Sequence, residues 1–110
     1  MKLFSLQDIP YEAVSHDPGL KKKVLARDPL PSIKNINHII LQPGDRASEH
    51  SHSDCVEVFY CMRGDAEFSV QGKTLPIRKG HLLFVERGEM HAILEVKEES
   101  EFLYLHVNSA

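Results

Sequence analysis

Gly44-Asp45-Arg46-Ala47-Ser48-Glu49-His50-Ser51-His52-Ser53-Asp54-Cys55-Val56-Glu57-Val58-Phe59-Tyr60-Cys61-Met62-Arg63-Gly64 reads as a loop followed by a strand. The run from Cys55 to Met62 is rich in β-branched and aromatic residues, the composition of a strand. It is apolar on both faces, with Cys55, Phe59 and Cys61 at odd positions and Val56, Val58, Tyr60 and Met62 at even ones. A strand with one wet face would alternate with polar residues. Upstream, His50 and His52 flank a single residue, so extended backbone puts both imidazoles on one face about 6.6 Å apart, where they can converge on one ion. Glu57 follows after Ser53-Asp54, a turn-forming pair that can return its carboxylate toward the two rings.

Outward from this stretch, short apolar runs alternate with Gly, Pro, Asp and Lys at the spacing of an all-β sandwich or barrel. The expected strands are Val24 to Ala26, Asn35 to Gln42, Cys55 to Arg63, Ala66 to Gln71, Lys73 to Arg78, His81 to Val85, His91 to Val96 and Glu101 to Val107. Breaks are expected at Pro43-Gly44-Asp45, Gly64-Asp65, Gly72, Lys79-Gly80, Arg87-Gly88-Glu89 and Lys97 to Ser100. No window keeps a helical apolar period for three turns, although Leu6 to Val14 could form one or two. Lys21-Lys22-Lys23 reads as a solvated feature beside an edge strand, with a phosphate contact as the sharper alternative. The run Glu101 to Val107 is apolar on both faces as well, so something must cover the second face. The N-terminal segment or a second copy of the chain would serve, and a homodimer is expected.

The chain has 110 residues, 13 Lys plus Arg against 16 Asp plus Glu, and a formal charge of −3. That length suits one domain with one modest core. The acidic balance lacks the footprint of a nucleic-acid binder or of a partner for anionic lipid. Met1 to Pro10 has no apolar run of the length of a signal h-region, and no stretch approaches the ~20 residues of a membrane span, so a cytoplasmic location is expected. On one strand Cys55 and Cys61 would stand about 20 Å apart, beyond the ~7 Å reach of a disulfide.

The spacing Gly44-x5-His50-x-His52-x4-Glu57-x6-Gly64, followed by Gly80-x7-Gly88-x2-His91, resembles the two motifs of the cupin superfamily. The first is matched at every defining position. The second is matched at Gly80, Gly88 and His91, but Glu86 stands where proline is common, Glu95 where asparagine is common, and His81 where an acidic residue often follows the first glycine. The resemblance implies an all-β fold, a double-stranded β-helix or jelly-roll barrel with its core at about residues 24–107 behind a short N-terminal extension. It also implies that His50, His52, Glu57 and His91 hold one divalent transition metal. Such a donor set suits Fe, Mn, Ni, Zn or Cu and leaves positions open for water, substrate or dioxygen.

Other residues are weaker candidates. Tyr104, His106 and His38 would serve a substrate or a proton if their strand faces point into the barrel. Cys55 is a conceivable thiolate ligand, and Cys61 reads as core packing. Arg87 beside Gly88 could meet a substrate carboxylate. Because cupins serve many chemistries, the expected function is a metal-dependent enzyme of dioxygenase, isomerase or decarboxylase type acting on a small oxygenated or carboxylated molecule. The alternative is a non-catalytic sensing module in which the metal anchors a small, anionic ligand.

Overall fold

The computed structural model describes residues 1–108, so Ser109 and Ala110 of the expected 1–110 domain lie outside the described residues. A single 3-10 turn, Leu6–Asp8, precedes strands β1 (Tyr11–Val14), β2 (Asp17–Leu30), β3 (Ile33–Leu41), β4 (Ala47–His50), β5 (Cys55–Val70), β6 (Lys73–Arg78), β7 (Leu82–Val85) and β8 (His91–Asn108). Hydrogen bonding orders them β1-β2-β3-β8-β5-β6, with β4 also on β8 and β7 also on β5. The helical turns expected over Leu6 to Val14 reduce to that one 3-10 turn, since Tyr11–Val14 pairs with β2 instead.

Two expected breaks are bends inside long strands. Antiparallel β5 and β8 pair from Cys55↔Asn108 to Val70↔His91, interrupted by register shifts between Cys61 and Ala66 and again at Glu67/Phe68. Gly64 sits in that irregular stretch with φ +106°, and a Cβ added to it would lie 2.5 Å from the Cα of Ser100. Asp65 N–H donates to Ser100 Oγ at 3.0 Å, and that hydroxyl donates to Glu98 O at 2.8 Å, so the two strands are pinned where both bend. The consequence is visible in Phe59 and Phe68. A straight strand would separate them by about 30 Å, yet their ring centroids lie 5.3 Å apart.

Folding β5 and β8 back on themselves encloses the core. Its centre is aromatic: Phe68 and Phe102 are each 1% exposed, Phe59 stacks on Tyr104 at 5.4 Å, and Leu41, Cys61, Ala66, Ile77 and Val85 fill around them. Burial of each large side chain contributes roughly 1.5–3 kcal/mol. Cys55 and Cys61 are both buried and free, as their expected separation on one strand requires. The opposite face of the same strands carries the second apolar set. Val58 pairs with Phe84 and Leu105, and Tyr60 with Leu82 and Leu103. On this face Tyr60 is 43%, Met62 41%, Leu82 59% and Phe84 54% exposed. The N-terminal segment does not supply the cover, since Leu3 and Phe4 are themselves exposed.

Candidate metal centre

Inward positions on β4, β5 and β8, together with the β4–β5 loop and the β1–β2 turn, bring five histidines and one carboxylate to one end of the folded sheet. Glu57 is the third residue of β5, in phase with buried Cys55 and Phe59, and is 4% exposed. His50 ends β4 directly opposite His91, the first residue of β8. His52 sits in the loop between β4 and β5, where its carbonyl accepts from Gly88 N–H at 2.7 Å. Gly88, with φ +82°, thereby ties the β7–β8 turn to the histidine loop. With Glu86 in place of proline the turn carries two hydrogen bonds of its own. Glu89 N–H donates to Glu86 O at 3.1 Å, and Glu86 N–H, which a proline would lack, donates to Glu89 Oε1 at 2.7 Å.

The four expected ligands offer donor atoms that all lie within 4.8 Å of one another. Their orientation is fixed from outside. His50 Nδ1–H donates to Ser48 O at 2.7 Å and His91 Nδ1–H to Glu89 O at 2.9 Å, leaving each ring its Nε2 lone pair. Against Glu57 stand His91 Nε2 at 2.8 Å, His106 Nε2 at 2.7 Å and His52 Nε2 at 3.5 Å. The Nε2 atoms of His52 and His106 are buried and neither has a hydrogen-bond partner of acceptable geometry. Neutral imidazoles aiming lone pairs at a carboxylate repel it unless a cation lies between. The donor set, three imidazoles and one carboxylate with buried unpaired nitrogens, therefore fits a divalent ion.

Burial alone would raise the Glu57 carboxyl, but the imidazoles of His106, His52 and His91 outweigh it and hold the group well below the usual carboxylate range. Burial pushes His50 down, whereas for His91 the neighbouring Glu57 overcomes burial and raises it.

The remaining candidates divide. His106 joins the site, its Nδ1–H donating to Asn35 Oδ1 at 2.6 Å while its other nitrogen faces Glu57. Tyr104 lines the adjoining cavity, with its phenol held protonated by burial. His38 lies elsewhere: it is on the other face of β3, bonded to Glu101, and does not line the cavity. Cys55 forms a second group with His52 and His106, but burial, aided by Asp54 and Glu57, raises its thiol to about 11, so it is a poor thiolate donor near neutrality. Cys61 is core. Arg87 is exposed in its turn and Glu95 is exposed opposite Glu67; neither lines the cavity.

Sequence reasoning missed two neighbours. His16, in the β1–β2 turn, lays its ring over His50 with centroids 3.7 Å apart, its Nδ1 2.6 Å from Asp17 Oδ2. Nothing in its local spacing marks it. Lys22 also lines the cavity rather than standing in solvent, because β2 lies between β1 and β3 and is no edge strand. The alternation Leu20, Lys22, Val24, Ala26 carried that signal. The cavity above the cluster has a volume of about 80 Å³, space for a small molecule.

Residues 37–108 match the cupin domain family, and the chain belongs to that family. Its jelly-roll fold is that of small cupins. Among relatives, an oxalate-binding protein of Thermotoga maritima is 36% identical over 53 residues, which are 48% of this chain and 44% of that one. A polyketide synthase protein, CurC, of Streptomyces cyaneus is 30% identical over 69 residues, 63% of this chain and 45% of that one. The matches thus span less than half the length of these relatives. In fold, the chain is similar to a Thermotoga maritima protein described as a predicted oxalate decarboxylase, with TM-score 0.86 and 23% identity over 98% of this chain and 100% of the other. It is also similar to the polyketide cyclase RemF of Streptomyces resistomycificus, with TM-score 0.81 and 21% identity over 100% and 82%.

Proposed function

We propose that this chain acts as one cupin domain that holds a divalent transition-metal ion on His50, His52, Glu57 and His91 and receives a small carboxylated or otherwise oxygenated molecule in the adjoining cavity. The convergence of those four donor sets within 4.8 Å, with a buried His52 nitrogen left unpaired, carries the reading. Bound there, a divalent ion would supply Lewis acidity to ligand oxygens, or as iron a route to dioxygen chemistry. The protein's own groups do the rest. Ser48 O and Glu89 O fix two of the imidazoles, Asn35 holds His106 beside the Glu57 carboxylate, and the apolar wall of Phe59, Phe68 and Tyr104 limits water. The reaction type we favour is that of a decarboxylase, isomerase or dioxygenase.

A second reading is non-catalytic: the metal anchors an anionic ligand and binding is the output. The likeness to an oxalate-binding protein favours it. Incubating metal-loaded protein with oxalate, malonate and pyruvate, and following each by carbon NMR beside a chelator-treated control, separates the two. Metal-dependent consumption supports the enzyme. Metal-dependent thermal stabilisation without consumption supports the binding module, and a response identical with and without metal contradicts both.

The apolar outer face of β5, β7 and β8 supports a homodimer, because exposed patches of that kind mark association surfaces. Two free thiols suit a reducing compartment such as the cytoplasm. Among the described residues no helix is long and apolar enough to cross a membrane.

A further inference from the structure

The cavity beside the histidine cluster is lined by one amine side chain outside the four metal-binding positions. Lys22 lines it, half-buried, from the middle of β2, on the same face as buried Leu20 and Val24. It is the one lysine or arginine among the residues lining the cavity. The carboxylate most available to neutralise it is already engaged. Glu12 stands directly opposite across the β1–β2 pair, but its carboxylate bonds Arg27. No ion pair of the Lys22 ammonium is formed among the described residues.

A half-buried ammonium without a partner is costly unless an anion meets it. Burial pulls Lys22 below the usual lysine value, with Arg27 acting in the same sense, while Glu12 and Glu57, which lines the same cavity, oppose it. The charges of the site then count as follows. One carboxylate with a divalent ion leaves a single positive charge, and Lys22 adds a second. A ligand with one negative charge would leave the cavity cationic. A ligand with two would balance it.

We propose that Lys22 is the specificity residue of this cavity and that the ligand is a small dianion, with one anionic group at the His50, His52, Glu57 and His91 centre and the other on the Lys22 ammonium. This rests on the metal-binding reading above and narrows its ligand class. Phe59, Phe68 and Ile93 line the space around these two polar points, which suits a short carbon spacer between the anionic groups.

The test compares ligands matched in carbon number that differ by one carboxylate: malonate against propionate, and succinate against butyrate. Affinities are measured by titration calorimetry on metal-loaded protein, native and Lys22→Met, with Lys22→Arg as the charge-preserving control. We expect the native protein to prefer the dianion in at least one pair. In Lys22→Met that preference falls by about tenfold or more, the scale of a lost charge-assisted hydrogen bond. Metal stoichiometry stays as in the native protein, monoanion affinity falls by less than dianion affinity, and Lys22→Arg restores part of the preference. An unchanged ratio of dianion to monoanion affinity in Lys22→Met, with metal-dependent binding intact, overturns the role of Lys22 alone. Dianion binding that needs Lys22 but survives chelation keeps that role and overturns the metal reading. Absence of binding to any of the four ligands by the metal-loaded native protein overturns both.

Discussion

His91 and His106 lie on the same strand, fifteen residues apart, yet their Nε2 atoms stand 2.8 and 2.7 Å from the two oxygens of a single carboxylate, Glu57. An unbent strand would separate them by about 50 Å. The bend at Gly64 and Ser100 is therefore what makes the site, because it returns the start of β8 to its own end across β5.

Gly64→Ala tests that bend. The new Cβ would lie 2.5 Å from Ser100 Cα, which is backbone and cannot swing away, at a φ of +106° that L-residues avoid. The expected cost is about 2–4 kcal/mol, read as a lower denaturation midpoint with unchanged m. A midpoint equal to the native one would mean the close approach is not required.

His106→Ala separates orientation from ligation. His106 stands against Glu57 but outside the four-donor group, so the variant should still take up one ion per chain when metal is in excess, with affinity weaker by roughly 10–100-fold, the usual effect of losing a group beside a metal ligand. Loss of stoichiometry at saturating metal would make His106 a ligand itself.

Both thiols should resist alkylation in native protein at pH 8, and both should react after denaturation. Cys55 is raised to about 11 by burial, and Cys61 is raised for the same reason. A thiol raised in the folded state favours folding only while it stays protonated. The folded state should therefore lose stability as pH climbs from the ordinary thiol range toward 11, and Cys55→Ala should flatten that alkaline loss. Rapid native alkylation at pH 8 would contradict the burial.

Glu101 supplies the acid limb. Its carboxyl is held low, first by the His38 hydrogen bond and, against the opposing effect of burial, by Arg63 as well. A lowered carboxyl contributes stability that is present above its unfolded value of about 4.3 and is lost as pH falls through the folded value. Glu101→Gln should reduce the difference in stability between pH 7 and pH 3. An acid limb unchanged by the substitution would show that the contact adds nothing.

The outer face predicts association. Native protein at micromolar concentration should sediment as twice its 12.5 kDa chain mass, and Phe84→Glu should return it to one. A native species of 12.5 kDa would rule out the homodimer.

The β-rich architecture and the four-residue cluster were legible because each leaves a local mark: two-faced apolar runs for strands buried on both sides, and fixed spacings for His50, His52, Glu57 and His91. What local patterns conceal is long-range. Gly64 and the charged run Lys97 to Ser100 resemble turns, since a glycine with positive φ serves a bulge as readily as a hairpin. Strand β4 is only Ala47–His50, too polar and short to register. Most of β2 was hidden by Pro18, Pro29 and three lysines, and with it the inward place of Lys22. His16 meets His50 only through the tertiary fold, so no spacing could announce it.

Whether His50, His52, Glu57 and His91 hold an ion is decided by elemental analysis of protein purified without chelator or affinity-column metal, with a His50→Ala, His52→Ala double variant alongside. About one transition-metal ion per chain is expected in the native protein and none in the variant, with the fold of both intact by circular dichroism. No metal in the native protein, even after reconstitution, or full metal in the double variant, would contradict a metal site on these four residues.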